Sequence, residues 1–158
     1  PQPAKSLWAV VGGGDNQDIA NQLWESKPGG QPTFGDVSVS VTDSQGFTQN
    51  IYFGRPSEID IYIEIDITKN NLYPLDELGN PDENIAKAAI VAQGNTLSTG
   101  DDVVVIPKLL CSLNSIPGIT DVTLRIGKTA SPTTDDNVPI AITEIAKFDT
   151  SRVSVTFL

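Results

Sequence analysis

The chain has 158 residues, 39% of them apolar and 6% aromatic, with no histidine, no methionine, one cysteine and a formal net charge of −10. That size and apolar content suffice for one domain or two very small ones with a real core. The residue counts exclude an internal disulfide and any His/Cys metal site, and the sign of the charge opposes nucleic acid and anionic lipid as partners.

The acidity is regional. Residues 58–102 hold ten acids against Lys69 and Lys87, whereas residues 103–158 balance five acids with five scattered bases. Partners steered by charge are therefore expected to be basic. No apolar run approaches the roughly 18 residues that span a bilayer. With Pro1 first and methionine absent, the polypeptide reads as a fragment or a processed form.

In chain order, Leu7-Trp8-Ala9-Val10-Val11 reads as a buried strand, with Trp8 in the core. Gly12-Gly13-Gly14 breaks it. Asp15 is placed to cap a helix whose stripe is Ile19, Ala20, Leu23 and Trp24, and Lys27-Pro28-Gly29-Gly30 ends that helix. Val37, Val39 and Val41 alternate with polar residues, Asp43-Ser44-Gln45-Gly46 supplies a turn, and Phe47 to Phe53 returns as a second strand.

Gly54-Arg55-Pro56-Ser57 forms a joint, because Pro56 contributes no ladder donor and disfavours helix before it. From Ile59 to Thr68 every odd position is isoleucine and every even one polar or amphipathic, which predicts a strand about 33 Å long with one dry and one wet face. A polar loop, Lys69 to Gly79, leads to Asn80-Pro81-Asp82-Glu83. These residues read as a cap, a proline at the first helical position and two acids at the positive end of the dipole. Ile85, Ala88, Ala89 and Ala92 are the expected buried stripe.

A second helix is expected after Asp101-Asp102, with Pro107 in its first turn and Leu109, Leu110, Leu113 and Ile116 facing inward, stopped by Pro117-Gly118. Cys111 within it reads as a small buried hydrophobe, since a nucleophile would need a base that the sequence does not supply. Strands over Thr120–Gly127, Val138–Phe148 and Arg152–Leu158 close the chain, with a polar loop from Lys128 to Asn137. The expected fold class is α+β in two lobes. Residues 1–57 give strand, helix and hairpin; residues 58–158 give strand, two helices and three strands, with helices covering one face of a mostly antiparallel sheet.

Gly12-Gly13-Gly14-Asp15 sits where a phosphate loop would lie, but a dinucleotide fingerprint needs glycine where Gln17 stands. Asp15 and Asp18 also oppose an anion there. A tight strand-to-helix turn is the expectation. Asp60, Tyr62, Glu64 and Asp66 share one strand face and form the candidate interaction surface. Two carboxylates about 7 Å apart on a flat strand suit neither a glycosidase pair across a cleft nor a calcium cage. Acids at 76, 77, 82, 83, 101 and 102 are mostly explained as helix-start residues. A serine nucleophile would have only lysine as a base, and Lys108 and Lys128 stand in no catalytic motif. No catalytic residue, metal ligand or cofactor site is assigned.

Several phrases, taken in order, resemble the baseplate J-like family, the wedge proteins of contractile phage tails and related injection machines. They are Val10-Val11-Gly12-Gly13 running through Asp18-Ile19-Ala20 to Leu23-Trp24 and Lys27-Pro28-Gly29-Gly30; Val39-Ser40-Val41-Thr42-Asp43-Ser44-Gln45-Gly46; Phe53-Gly54-Arg55-Pro56; and Leu113-Asn114-Ser115-Ile116-Pro117-Gly118-Ile119 before Asp121-Val122. The resemblance covers nearly the whole chain. It implies a non-enzymatic structural role as the carboxy-terminal part of a wedge subunit, whose partners are copies of itself and neighbouring baseplate proteins. It also implies a place in the virion tail, assembled in the cytoplasm of the bacterial host, where a lone cysteine is at home. The alternatives are an extracellular adhesin-like binding module and, third, a nucleotide-linked enzyme domain built on the Gly12–Gly14 turn.

Overall fold

The computed structural model describes residues 2–101, 103 and 105–158, with the side chain of Ile106 outside that description. Chain contacts divide it into two units, Pro1–Ser57 and Glu58–Leu158, each with its own hydrophobic cluster.

In the first unit the glycine break is followed by α1 (Asn16–Ser26), preceded by the two-residue strand β1 (Leu7–Trp8). Asp15 caps α1, its carboxylate accepting from the Gln17 N–H at 2.8 Å and the Asp18 N–H at 3.3 Å. Two of the orphan donors of the first turn are thereby satisfied. At the other end the Lys27 N–H reaches the Leu23 carbonyl, and Pro28 forbids continuation. A short strand β2 (Thr33–Phe34), not anticipated from sequence, pairs with β1 in parallel, so β1, α1 and β2 form a small crossover.

The valine alternation forms β3 (Val37–Thr42), and its partner is β4 (Thr48–Phe53), antiparallel from Val37 opposite Phe53 to Thr42 opposite Thr48. Ala20, Val41, Ile51 and Phe53 are buried, with Ile19, Leu23, Trp24, Val37 and Val39 packed around them. The apolar stripe of α1 therefore does face the hairpin. The opening run does not behave as expected. Its strand is two residues long, and Trp8 is 43% exposed, set edge-on to Phe34. Trp24 is half-buried, with the Lys27 ammonium 4.6 Å above its ring.

The turn between β3 and β4 is closed by Asp43. Its carboxylate accepts from the N–H groups of Gln45 and Phe47, both at 2.9 Å, while its own N–H donates to the Phe47 carbonyl. Gly46 completes the turn at φ +88°, a value that a side chain would strain.

The second unit opens with β5 (Ser57–Asp60) and β6 (Tyr62–Lys69). The isoleucine run is thus two strands rather than one. At Ile61 the N–H turns aside to the Lys147 carbonyl at 3.1 Å, so β5 joins β8 (Glu144–Lys147), while β6 becomes the centre of a different sheet. In that sheet β7 (Ile119–Gly127) runs antiparallel to β6, and β9 (Val153–Phe157) runs parallel to it.

The period-2 pattern sorts the two faces. Ile63, Ile65 and Ile67 are at most 1% exposed and join Leu124, Ile126 and Val153 in one cluster with Ala86, Ile90, Leu109 and Leu113 from the helices. Full burial of each isoleucine contributes roughly 1.5–3 kcal/mol.

The first covering helix, α2 (Glu83–Gly94), starts two residues later than the sequence implies. Asp82, not Asn80, is the cap, accepting from the Asn84 N–H at 2.9 Å, and Pro81 bridges to Leu75 outside the helix. Its buried face is Ala86, Ile90 and Gly94, whereas Ala88 and Ala92 point to solvent. Three alanines give no steric reason to choose one face, and Phe148 chooses it. A Cβ on Gly94 would run into the Phe148 ring.

The second covering segment begins as a π-helical stretch, Val105–Leu110, and tightens into a single α turn, Cys111–Leu113. Asp102, part of its expected start, lies outside the described residues. Leu109, Leu113 and Ile116 are buried as expected and Leu110 is half-buried, but Cys111 is exposed. Cys111 stands two positions from both Leu109 and Leu113, which sets it on the side of the helix away from that buried stripe. Between 138 and 148 only Glu144–Lys147 is strand. Val138 makes an isolated bridge to Val103 instead.

Asp149 caps the 3₁₀ turn Thr150–Arg152 before β9, accepting from the Ser151 N–H at 2.8 Å and the Ser151 hydroxyl at 2.6 Å. Those two contacts, the hydroxyl first, hold its carboxyl below the ordinary value of 3.8. At Asp43 the Phe47 N–H is the leading cause of a shift in the same direction. The unfolded chain binds these two protons at higher pH than the folded chain does. Their stabilisation is therefore complete above about pH 4 and lost as pH falls through the folded values. In thermal unfolding followed by circular dichroism, the double variant Asp43→Asn, Asp149→Asn is expected to show a shallower fall of Tm below pH 4 than the parent. An unchanged acid slope would contradict this account.

Candidate functional site

Asp60 ends β5, and Tyr62, Glu64 and Asp66 lie along β6 on the face opposite the buried isoleucines. The structure brings β7 and β9 to either side of them. Arg125 stands directly opposite Glu64 in the ladder, with Ser154 and Thr156 on the other flank opposite Glu64 and Asp66. The Arg125 guanidinium donates through Nη2 to Asp66 Oδ2 at 2.8 Å and through Nε to Glu64 Oε2 at 3.4 Å. These bonds, that to Asp66 first, raise the arginine above its ordinary value. Arg152 Nη2 lies 3.1 Å from Asp60 Oδ1.

Two arginines thus answer three carboxylates, and the face is flat, half-buried and near neutral. Its sequence portrait is that of an acidic ladder. Arg125 and Arg152 go unrecognised in the sequence because their relevance depends on which strands lie beside β6. Pairing register is a tertiary property. A cleft of about 250 Å³ opens at one end of the face, lined by Tyr62, Glu64, Ser131, Pro132, Arg152 and Ser154.

The glycine turn is also occupied, by the protein's own cation. The Arg55 guanidinium donates to the carbonyl oxygens of Val11 at 2.9 Å, Gly13 and Gly14 at 2.8 Å, and to the Asn16 side chain. With Gly13 at φ +69° and Gly14 at +74°, the turn directs carbonyl oxygens, not N–H groups, toward its centre. A phosphate needs the reverse polarity. The helix N–H groups nearby are already taken by Asp15. Beside α1, a shallow cleft of about 340 Å³ is lined by Val11, Ile19 and Leu23 with Asp15 and Asp18.

Four of the remaining acids have identifiable structural work. Asp76 closes a turn, Asp82 caps α2, Glu83 pairs with Lys87 at 2.9 Å, and Asp101 accepts from the Ser98 N–H at 2.8 Å and faces Lys108 at 3.9 Å. Lys128 lies 3.9 Å from Glu144. Among the described residues no group of three or more His, Cys, Asp or Glu side chains is arranged to hold a metal ion, and no helix is long and apolar enough to cross a membrane.

Fold and surface together define a small α+β protein with an open sheet face on β6 and its neighbours. No family model and no curated protein matches the chain.

Proposed function

We propose that this chain is a structural component of a contractile-tail baseplate, the carboxy-terminal part of a wedge subunit working through protein–protein contacts in the virion. The observation that carries the reading is the succession of phrases quoted above, which resembles the baseplate J-like family from Val10 to Val122. The division into two units with separate cores supports it, because a part that transmits position to its neighbours needs rigid bodies with exposed surfaces. The open face of β7, β6 and β9 is the surface assigned to those contacts, with Tyr62, Glu64 and Asp66 on it and Asp60 beside it at the end of β5. The Arg55-filled glycine turn weighs against the nucleotide-linked alternative.

Co-expression with the proteins encoded beside it, followed by native mass spectrometry, tests the assignment. A complex of fixed stoichiometry with tail proteins, weakened by Arg125→Glu on the sheet face, is the expected result. Failure to join any such complex, together with selective binding on a glycan array, would overturn it in favour of the adhesin-like module.

A further inference from the structure

The loop between β6 and α2 exposes three leucines within seven residues: Leu72 at 72%, Leu75 at 59% and Leu78 at 86%. Single exposed leucines need no explanation, but a local group of three does. Positions 72 and 78 are separated by at most roughly 20 Å even in a fully extended chain.

The loop is held in place from several sides. The Asn70 N–H donates to the Gly118 carbonyl at 2.8 Å, and the Asn70 carboxamide accepts from the Leu72 N–H at 2.8 Å. Tyr73 is buried, edge-on to Phe157 at 5.2 Å, and its hydroxyl donates to the Asp82 carbonyl at 3.1 Å. The tip repeats the chemistry of the β3–β4 turn. Asp76 accepts from the N–H groups of Leu78 at 2.9 Å and Asn80 at 2.8 Å, its own N–H donates to the Asn80 carbonyl, and Gly79 sits at φ +82°. The leucines are thus presented on a preorganised support, so little ordering entropy is lost on docking.

The charge around them selects the occupant. Residues 70–83 carry Asp76, Glu77, Asp82 and Glu83 and no lysine or arginine; Glu83 is paired with Lys87, which leaves a net excess of three acids. A two-fold contact with a second copy would set this patch against itself, and anionic lipid would meet the same repulsion. We propose that the loop at residues 70–80 is a docking knuckle for a basic amphipathic segment of another protein, leucines against its apolar side and acids against its lysine or arginine rim. The proposal rests on the geometry and charge of the loop and stands apart from the baseplate assignment.

The test uses the full chain, isotope-labelled for amide NMR, and a helical 14-residue peptide of leucine and lysine, with a leucine–glutamate peptide as control. The expected result is shifts concentrated at residues 70–83 with the basic peptide, none with the acidic one, and at least tenfold weaker binding for Leu75→Ser, Leu78→Ser. The double change lies at exposed positions, and retained peak dispersion verifies its fold. Four results would each overturn the proposal: shifts centred on Ile19 and Leu23 beside α1, binding unaffected by the double change, leucine-dependent self-association in sedimentation velocity, or leucine-dependent binding to phosphatidylcholine vesicles without peptide binding.

Discussion

Gly118→Ala is expected to destabilise the protein by about 3 kcal/mol or more, from two sources that add at one atom. The residue sits at φ +83°, where a Cβ costs roughly 1–2 kcal/mol. That Cβ would also fall on the Leu72–Tyr73 backbone, which has no rotamer through which to yield. Relief requires moving the loop strand, and with it the buried Tyr73 ring packed on Phe157, besides loosening the bond from the Asn70 N–H to the Gly118 carbonyl. Gly46→Ala separates the two sources. Its φ is +88° and nothing lies within 4 Å of its Cβ, so only the conformational part, about 1 kcal/mol, should appear. Urea unfolding of both variants measures the difference, and equal losses would show that the close approach at Gly118 carries no energy.

Phe53→Ala is expected to remove about 3–5 kcal/mol. The ring is fully buried, in a first-unit cluster with only Ala20, Val41 and Ile51 as its other buried members among the described residues. A small unit has little apolar surface to redistribute around the cavity, so the cost should lie toward the upper end. The backbone at Phe53 is boxed in as well, since a Cβ on Gly35 would overlap it. Collapse into the void by main-chain movement is therefore resisted. Phe47→Ala, at a site 64% exposed on the same hairpin, should cost within about 0.5 kcal/mol. Amide hydrogen exchange in α1, β3 and β4 reads the effect directly. Protection there that survives Phe53→Ala would mean that the unit is held by something other than its aromatic centre.

Elements whose signals are contained within a few neighbouring residues can be read from the chain with no knowledge of the fold. Asp15 before a 3.6-period stripe specifies α1 and its cap, valine alternation beside Asp43 and Gly46 specifies the hairpin, and the isoleucine ladder separates a dry face from a wet one. The α+β class follows from that order of elements. The turn at Asp76–Gly79 was equally legible, because it repeats the Asp-x-x-Gly spacing of Asp43–Gly46, yet polarity alone marks its loop as featureless.

What depended on distant partners was decided elsewhere. The isoleucine run breaks at Ile61 because Lys147 offers a carbonyl there, and α2 turns Gly94 inward because Phe148 needs the space. Likewise Asp60, Glu64 and Asp66 read as an exposed acidic stripe until folding sets Arg125 and Arg152 beside them. Local propensity acts over one turn or one pleat, whereas strand register and charge pairing are settled by residues about 60 to 90 positions away, and only the folded chain brings these into contact.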